Sequence, residues 1–247
     1  MSPSVAIVTG ASRGLGRATA LALAESGVQT VLAARGADEL RSLTDEISTL
    51  GAKSLACVTD ISDESAVEHL FATCLNEFGR LDILINNAGV ALQRNLVDLT
   101  DSDWQRVFDI NVRGMFHCSR AAARHFASVG AGRAVNVASV FGLVGRPGYT
   151  SYCASKGAVI NFTRAAAAEW ARFGAQINAV APGYIATDIN AELRGNAEAM
   201  KKVLRRIPAH RMGEPEEIAN VVRYLALDAP TFLTGQTIVV DGGETSV

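Results

Sequence analysis

The sequence predicts an α/β protein: one doubly wound parallel sheet of about seven strands with helices on both faces. Three observations carry this reading. Short strand-like runs alternate with helical patterns along all 247 residues, the mark of right-handed βαβ units. The strand runs are apolar nearly throughout, as strands buried on both faces must be. A glycine cluster, Thr9-Gly10-Ala-Ser12-Arg13-Gly14-Leu15-Gly16, falls between the first strand and the first helix. Glycines there let the backbone turn tightly and approach a pyrophosphate, whose charge meets the free N–H groups and dipole of the helix.

The elements follow in order. Strands are expected at residues 5–9, 29–33, 53–57, 82–85, 133–138, 176–180 and 237–240, with helical patterns at 15–26, 38–50, 64–78, 101–128, 151–173 and 215–226. Gly79-Arg80 reads as a stop to the third helix, and Asp101 to Asp103 as the cap that opens the long fourth one. No linker, repeat or low-complexity tract divides the chain, so residues 1–247 read as a single nucleotide-binding domain. The segment 184–212 breaks the rhythm after Pro182-Gly183 and is richer in charge. It reads as a substrate lid beyond a strand's carboxyl end, or as a plain surface excursion.

Composition narrows the class. Hydrophobic residues make up 49% and charged residues 19%, which fits a packed core and not a disordered chain. A net charge of −2 gives no bias towards nucleic acid or anionic membrane. No apolar run approaches a membrane span, and Met1-Ser-Pro-Ser leads into Val5 without a signal-peptide pattern. Cys57, Cys74, Cys118 and Cys153 form no C-x-x-C pair, and the four histidines do not cluster with them. No metal site is expected, and a reducing, cytoplasmic setting is.

The chemistry is concentrated in Ser139, Tyr152 and Lys156. A helix starting near Thr150 puts 152 and 156 on one face, a turn apart. There the lysine ammonium is expected to lower the phenol's pKa and make it a proton shuttle near neutrality. Ser139, at the carboxyl end of the fifth strand, could hydrogen-bond a substrate oxygen. The second strand runs into Ala33-Ala34-Arg35-Gly36, with no carboxylate before Asp38. Arg35 and Arg13 would suit the 2′-phosphate of NADP(H) over the bare ribose of NAD(H), unless both are solvated surface residues. Asp60 could accept from an adenine amino group or cap the next helix. Asn86-Asn87-Ala88-Gly89 could brace a sharp turn and leave room for a ribose.

In this order and spacing, TGASRGLG at 9–16, Asp60, NNAG at 86–89, Asn111, Ser139, Tyr152-x-x-x-Lys156, Pro182-Gly183, Thr187 and the closing Val240-Asp-Gly-Gly resemble the classical branch of the short-chain dehydrogenase/reductase family. The resemblance covers the whole chain and implies a Rossmann-type fold. It implies Tyr152 as acid/base, Lys156 as its modulator and ribose ligand, and Ser139 as the group that orients the carbonyl. Asn111 would hold a water linking Lys156 to solvent. For the cofactor it implies Gly10, Ser12, Arg13, Gly14, Leu15 and Gly16 at the phosphates, and Arg35, Asp60 and Ile61 at the adenosine. Asn87, Ala88, Gly89, Pro182, Gly183, Ile185 and Thr187 complete that set, Thr187 at the nicotinamide carboxamide. A homotetramer packed through the fourth and fifth helices is also implied.

The resemblance points to interconversion of a ketone and a secondary alcohol, as in 3-oxoacyl-[acyl-carrier-protein] reductases. The alternative is a sugar-acid or polyol dehydrogenase such as gluconate 5-dehydrogenase; a more distant one is a catalytically idle nucleotide-binding scaffold. The stretch 124–133 carries few charges, which weakens an acidic carrier protein as partner. The 140–149 loop is mostly apolar with one arginine, Arg146, suited to an acyl chain or to a substrate carboxylate.

Overall fold

The computed structural model describes residues 3–246. All seven expected strands form: β1 (Val5–Thr9), β2 (Gln29–Ala34), β3 (Ser54–Val58), β4 (Ile83–Asn86), β5 (Gly132–Val137), β6 (Ala175–Pro182) and β7 (Thr237–Val240). They make one sheet in the order β3-β2-β1-β4-β5-β6-β7, parallel throughout. Alternate side chains of β1 go to opposite faces. Ala6 and Val8 join the core with Leu23, Leu40, Ile47, Ile218 and Val222. Val5 and Ile7 join the other core with Leu70, Cys74, Phe126 and Trp170, where the last two rings meet edge-on at 5.8 Å.

The helices that cover the first face are α1 (Gly14–Glu25), α2 (Ala37–Thr49) and α9 (Pro215–Arg223); those covering the second begin with α3 (Glu64–Phe78). Asp63 caps α3 by accepting from Ser65 N–H, and Gly79 ends it at φ +71°.

The expected helix 101–128 is not continuous. It comprises α4 (Asp101–Phe108), a π-helical segment Asp109–Gly114 and α5 (Met115–Val129). Gly114 lies so close to Ile61 that a Cβ there would sit 2.6 Å from its side chain, and this approach fixes the segment against the α3 side. The helix cap is also corrected: Thr100 caps α4, its hydroxyl accepting Asp103 N–H while Asp103 accepts from Thr100 N–H, each at 3.2 Å. Next come α6 (Thr150–Trp170) and, within 184–212, the short α7 (Ala191–Arg194) and α8 (Ala197–Leu204); α9 (Pro215–Arg223) runs into a second π-helical segment, Tyr224–Asp228. Ile207 and Pro208 of the 184–212 segment lie against Gly242 and Gly243 of the chain's closing turn. Among the described residues no helix is long and apolar enough to cross a membrane.

Candidate active site

Strand order reverses between β1 and β4, because β1 pairs with β2 on one side and with β4 on the other. In such sheets a crevice opens at the carboxyl ends of the two strands, and the glycine loop lies there. Gly10 and Gly14 adopt φ +65° and +52°, backbone that only glycine takes freely. Gly16 must lack a side chain, since a Cβ would come within 2.2 Å of Gly10 O and 2.4 Å of Asn87 Nδ2. Asn87 Nδ2 donates to the carbonyls of Thr9 (2.9 Å) and Gly10 (3.1 Å), and Thr9 Oγ1 accepts from Asn87 and Ala88 N–H. The NNAG turn and the glycine loop thus brace each other. Helix α1 begins with no side-chain cap and no acid in its first turn, so its N–H groups suit a bound anion. Thr187 stands over the same loop, 3.5 Å from where a Gly14 Cβ would be. These features fit a dinucleotide pyrophosphate.

Arg13 and Arg35 are exposed, and neither pairs with a carboxylate of the described residues within 4 Å. Asp60, beyond β3, accepts from Ser62 N–H (3.0 Å) and hydroxyl (2.7 Å) at Oδ1. Those bonds, with help from Arg35, hold its carboxyl below the usual range. One carboxylate escaped the sequence reading: Glu39 folds back over Gly36, occupying the place a Cβ would take. Three of the expected cofactor residues also pack against the protein. Leu15 and Ile185 pack into the α1–α9 core, and Ile61 is spent on Gly114. Gly183 keeps Asp241 close; a Cβ there would lie 2.8 Å from it.

At the reacting end, β5 stops at Val137, two residues before Ser139. Ser139 is therefore not a strand residue; it caps the short 3₁₀ turn Val140–Gly142, its Oγ accepting Phe141 N–H at 3.2 Å. Its hydroxyl also lies within hydrogen-bond reach of the Tyr152 phenol, and it has a hydrogen to give a substrate oxygen that meets both. Tyr152 and Lys156 share a face of α6, as the spacing required. Lys156 is buried and donates to Val137 O at 2.7 Å, with Nζ 5.7 Å from the Tyr152 ring centre. The expected lowering of the phenol by Lys156 is not what dominates. Tyr152 is only partly exposed, and burial pushes its hydroxyl up to about 12, with only Ser139 pulling it back. Burial likewise pushes Lys156 down to about 8, since the interior disfavours whichever form carries charge.

Asn111 sits in the π segment, buried. Its Oδ1 accepts Val90 N–H (2.8 Å), and its amide donates to Val90 O (2.9 Å) and Ser155 Oγ (3.0 Å). Both amide hydrogens are thus committed to protein, so this group cannot donate to the expected water. Asn111 ties the NNAG turn to α6, with its Oδ1 and Lys156 Nζ converging on Gly89 at 3.2 and 3.4 Å from a Cβ position there.

The sequence reading also missed an aromatic wall. Phe141 faces Tyr152, Tyr149 and Tyr184 at ring separations of 6.2, 5.4 and 5.9 Å, and Tyr149 OH donates to Gln93 at 3.1 Å. A hollow of about 480 Å³ lies at the amino ends of the strands, lined by Ser4, Asp82 and Arg133 among others. Its one carboxylate is engaged: Asp82 takes both Arg80 (2.8 and 2.7 Å) and Val5 N–H (2.8 Å). No cluster of three or more potential metal ligands occurs among the described residues.

Comparison with known proteins agrees with this geometry. A family model described as enoyl-(acyl carrier protein) reductase matches residues 10–245. The chain is 42% identical over 245 residues to the 3-oxoacyl-[acyl-carrier-protein] reductase of Synechocystis sp., covering 98% of this chain and 97% of that one. It is 39% identical over 245 residues to gluconate 5-dehydrogenase of Gluconobacter oxydans, covering 99% and 96%. A solved structure of a variant actinorhodin polyketide ketoreductase with NADPH superposes with a TM-score of 0.95 at 32% identity, covering 99% and 98%.

Proposed function

The chain belongs to the short-chain dehydrogenase/reductase family, and from that premise we propose an NADP(H)-linked oxidoreductase that interconverts a ketone and a secondary alcohol. The observation that carries it is the convergence of Ser139, Tyr152 and Lys156 beside the glycine cradle. When bound, the nicotinamide coenzyme supplies or takes up the hydride. Gly10, Gly14 and Gly16 with the start of α1 hold its pyrophosphate, Thr187 and the NNAG turn flank it, and Arg13 and Arg35 meet the 2′-phosphate. Ser139 donates to the substrate oxygen and fixes its position. Tyr152, pushed up to about 12, holds its proton at neutral pH and gives it to that oxygen in reduction; in oxidation it takes the proton back. Lys156, pushed down to about 8, is able to release a proton near neutrality and so restores the phenol.

The first substrate reading is a 3-oxoacyl reductase, supported by the Synechocystis relative and the aromatic wall. A second, an acid dehydrogenase, is favoured by Arg146 within that wall. The 184–212 segment would act as the lid over either substrate.

A screen of β-ketoacyl thioesters, sugar acids and simple ketones with both coenzymes tests the reaction class. Turnover with some ketone or secondary alcohol is expected; none across the panel contradicts it. The coenzyme choice has its own check in Arg35→Asp, which should raise the KM for NADP(H) by about tenfold or more while changing that for NAD(H) less than about threefold. Equal effects on both would overturn the preference.

A further inference from the structure

We propose that Arg146 is the carboxylate-recognition residue of this site, so that the ketone or alcohol it takes carries a free carboxylate a few bonds from the reacting carbon. The inference rests on the oxidoreductase reading above and develops the second of its two substrate readings, the acid dehydrogenase.

Arg146 lies in the loop that joins Ser139 to Tyr152. Its guanidinium carbon stands 5.8 Å from the ring centres of both Phe141 and Tyr184, and Nη2 donates to Tyr184 OH at 2.8 Å. Those contacts hold the group in place and so lower the cost of ordering it on binding. They use one of its five N–H donors, and it makes no other side-chain hydrogen bond among the described residues. No carboxylate of the described residues lies within 4 Å of it. The acid that feels it, Glu244, is half-buried; burial pushes its carboxyl up against the pull of Arg146, and its Oε2 finds no partner. A partly buried, pre-positioned guanidinium with spare donors matches a planar bidentate anion.

Distance selects which anion. Phe141 touches both Arg146 and Tyr152, so the anion sits one ring away from the acid/base. A carrier thioester's phosphate is a whole pantetheine arm from its 3-oxo group and cannot reach both. A carboxylate on the substrate's own skeleton can. Tyr149, whose ring lies 5.4 Å from Phe141 and 6.5 Å from Tyr152 and whose hydroxyl donates to Gln93 at 3.1 Å, adds polar atoms beside that wall.

The test is NADPH-dependent reduction of 4-oxocyclohexanecarboxylate against its carboxamide, with acetoacetyl-CoA as a third substrate, by the wild-type chain, Arg146→Gln and Arg146→Lys. The acid should exceed the amide in kcat/KM by about tenfold, and Arg146→Gln should lower the acid's kcat/KM by about thirtyfold, mainly through KM. Lysine, keeping the charge but not the fork, should fall between. Tyr184→Phe, which leaves the charge and frees the side chain, should raise KM for the acid alone. The proposal is overturned if acid and amide are used equally, if Arg146→Gln depresses all three substrates alike, or if only the thioester turns over. Turnover of the thioester alone would leave the oxidoreductase reading standing, whereas no turnover of any substrate would remove both.

Discussion

Burial acts on Tyr152 and Lys156 in opposite senses, because one gains charge by losing a proton and the other by keeping it. Lys156 falls to about 8 from 10.5, so between those pH values the unfolded chain holds a proton there that the folded chain has lost. Stability therefore rises with pH across that window, and the contribution is lost as pH falls through 8. Lys156→Met removes the linkage. Urea unfolding should show wild type gaining on this variant from pH 8 to pH 10 by roughly 1–3 kcal/mol; parallel stabilities would contradict the burial. The Tyr152–Lys156 pairing was legible because it is local, four residues on one helix. The Val137 carbonyl that holds Lys156, and the Val90 and Ser155 partners of Asn111, come from distant segments. No spacing rule reveals them.

At the scale of elements, the glycine loop is the most demanding piece. A Cβ at Gly16 would meet backbone, Gly10 O, at 2.2 Å, and backbone cannot swing aside as a side-chain tip can. Gly16→Ala should therefore displace the loop and weaken NADPH binding by at least about tenfold, read by quenching of intrinsic fluorescence. Unchanged affinity would mean that the loop does not form the cradle. Helices with local stop and start signals were readable, α3 above all, whose bounds match the expected 64–78. The break between α4 and α5 was not. Nothing in Asp109–Gly114 forbids an α-helix locally; the π segment goes with the close approach of Gly114 to Ile61 and the bonds of Asn111 to Val90. Such segments concentrate at functional sites. The cap at Thr100 was misplaced by one residue because Asp101 and Asp103 are equally good capping types, and only the reciprocal bonds decide between them.

For the whole molecule, alternation and apolar strand runs were enough to predict the parallel sheet, since burial on both faces constrains every residue of a strand. The side-chain wall over the crevice was beyond reach of pattern, because Phe141, Arg146, Tyr149 and Tyr184 meet only when the β5–α6 loop folds against the segment after β6. Chemistry and the proposed selectivity are accordingly divided: Tyr152 and Lys156 are set by α6 and Ser139 by the turn just beyond β5, while the wall proposed to meet the substrate is built from loops. The central claim is that Tyr152 moves the proton while the rest of the crevice binds coenzyme. It is tested most directly by measuring NADPH affinity and ketone turnover side by side for wild type and Tyr152→Phe. The account predicts affinity within about threefold and turnover reduced by at least about a hundredfold; turnover that survives with affinity unchanged would contradict it.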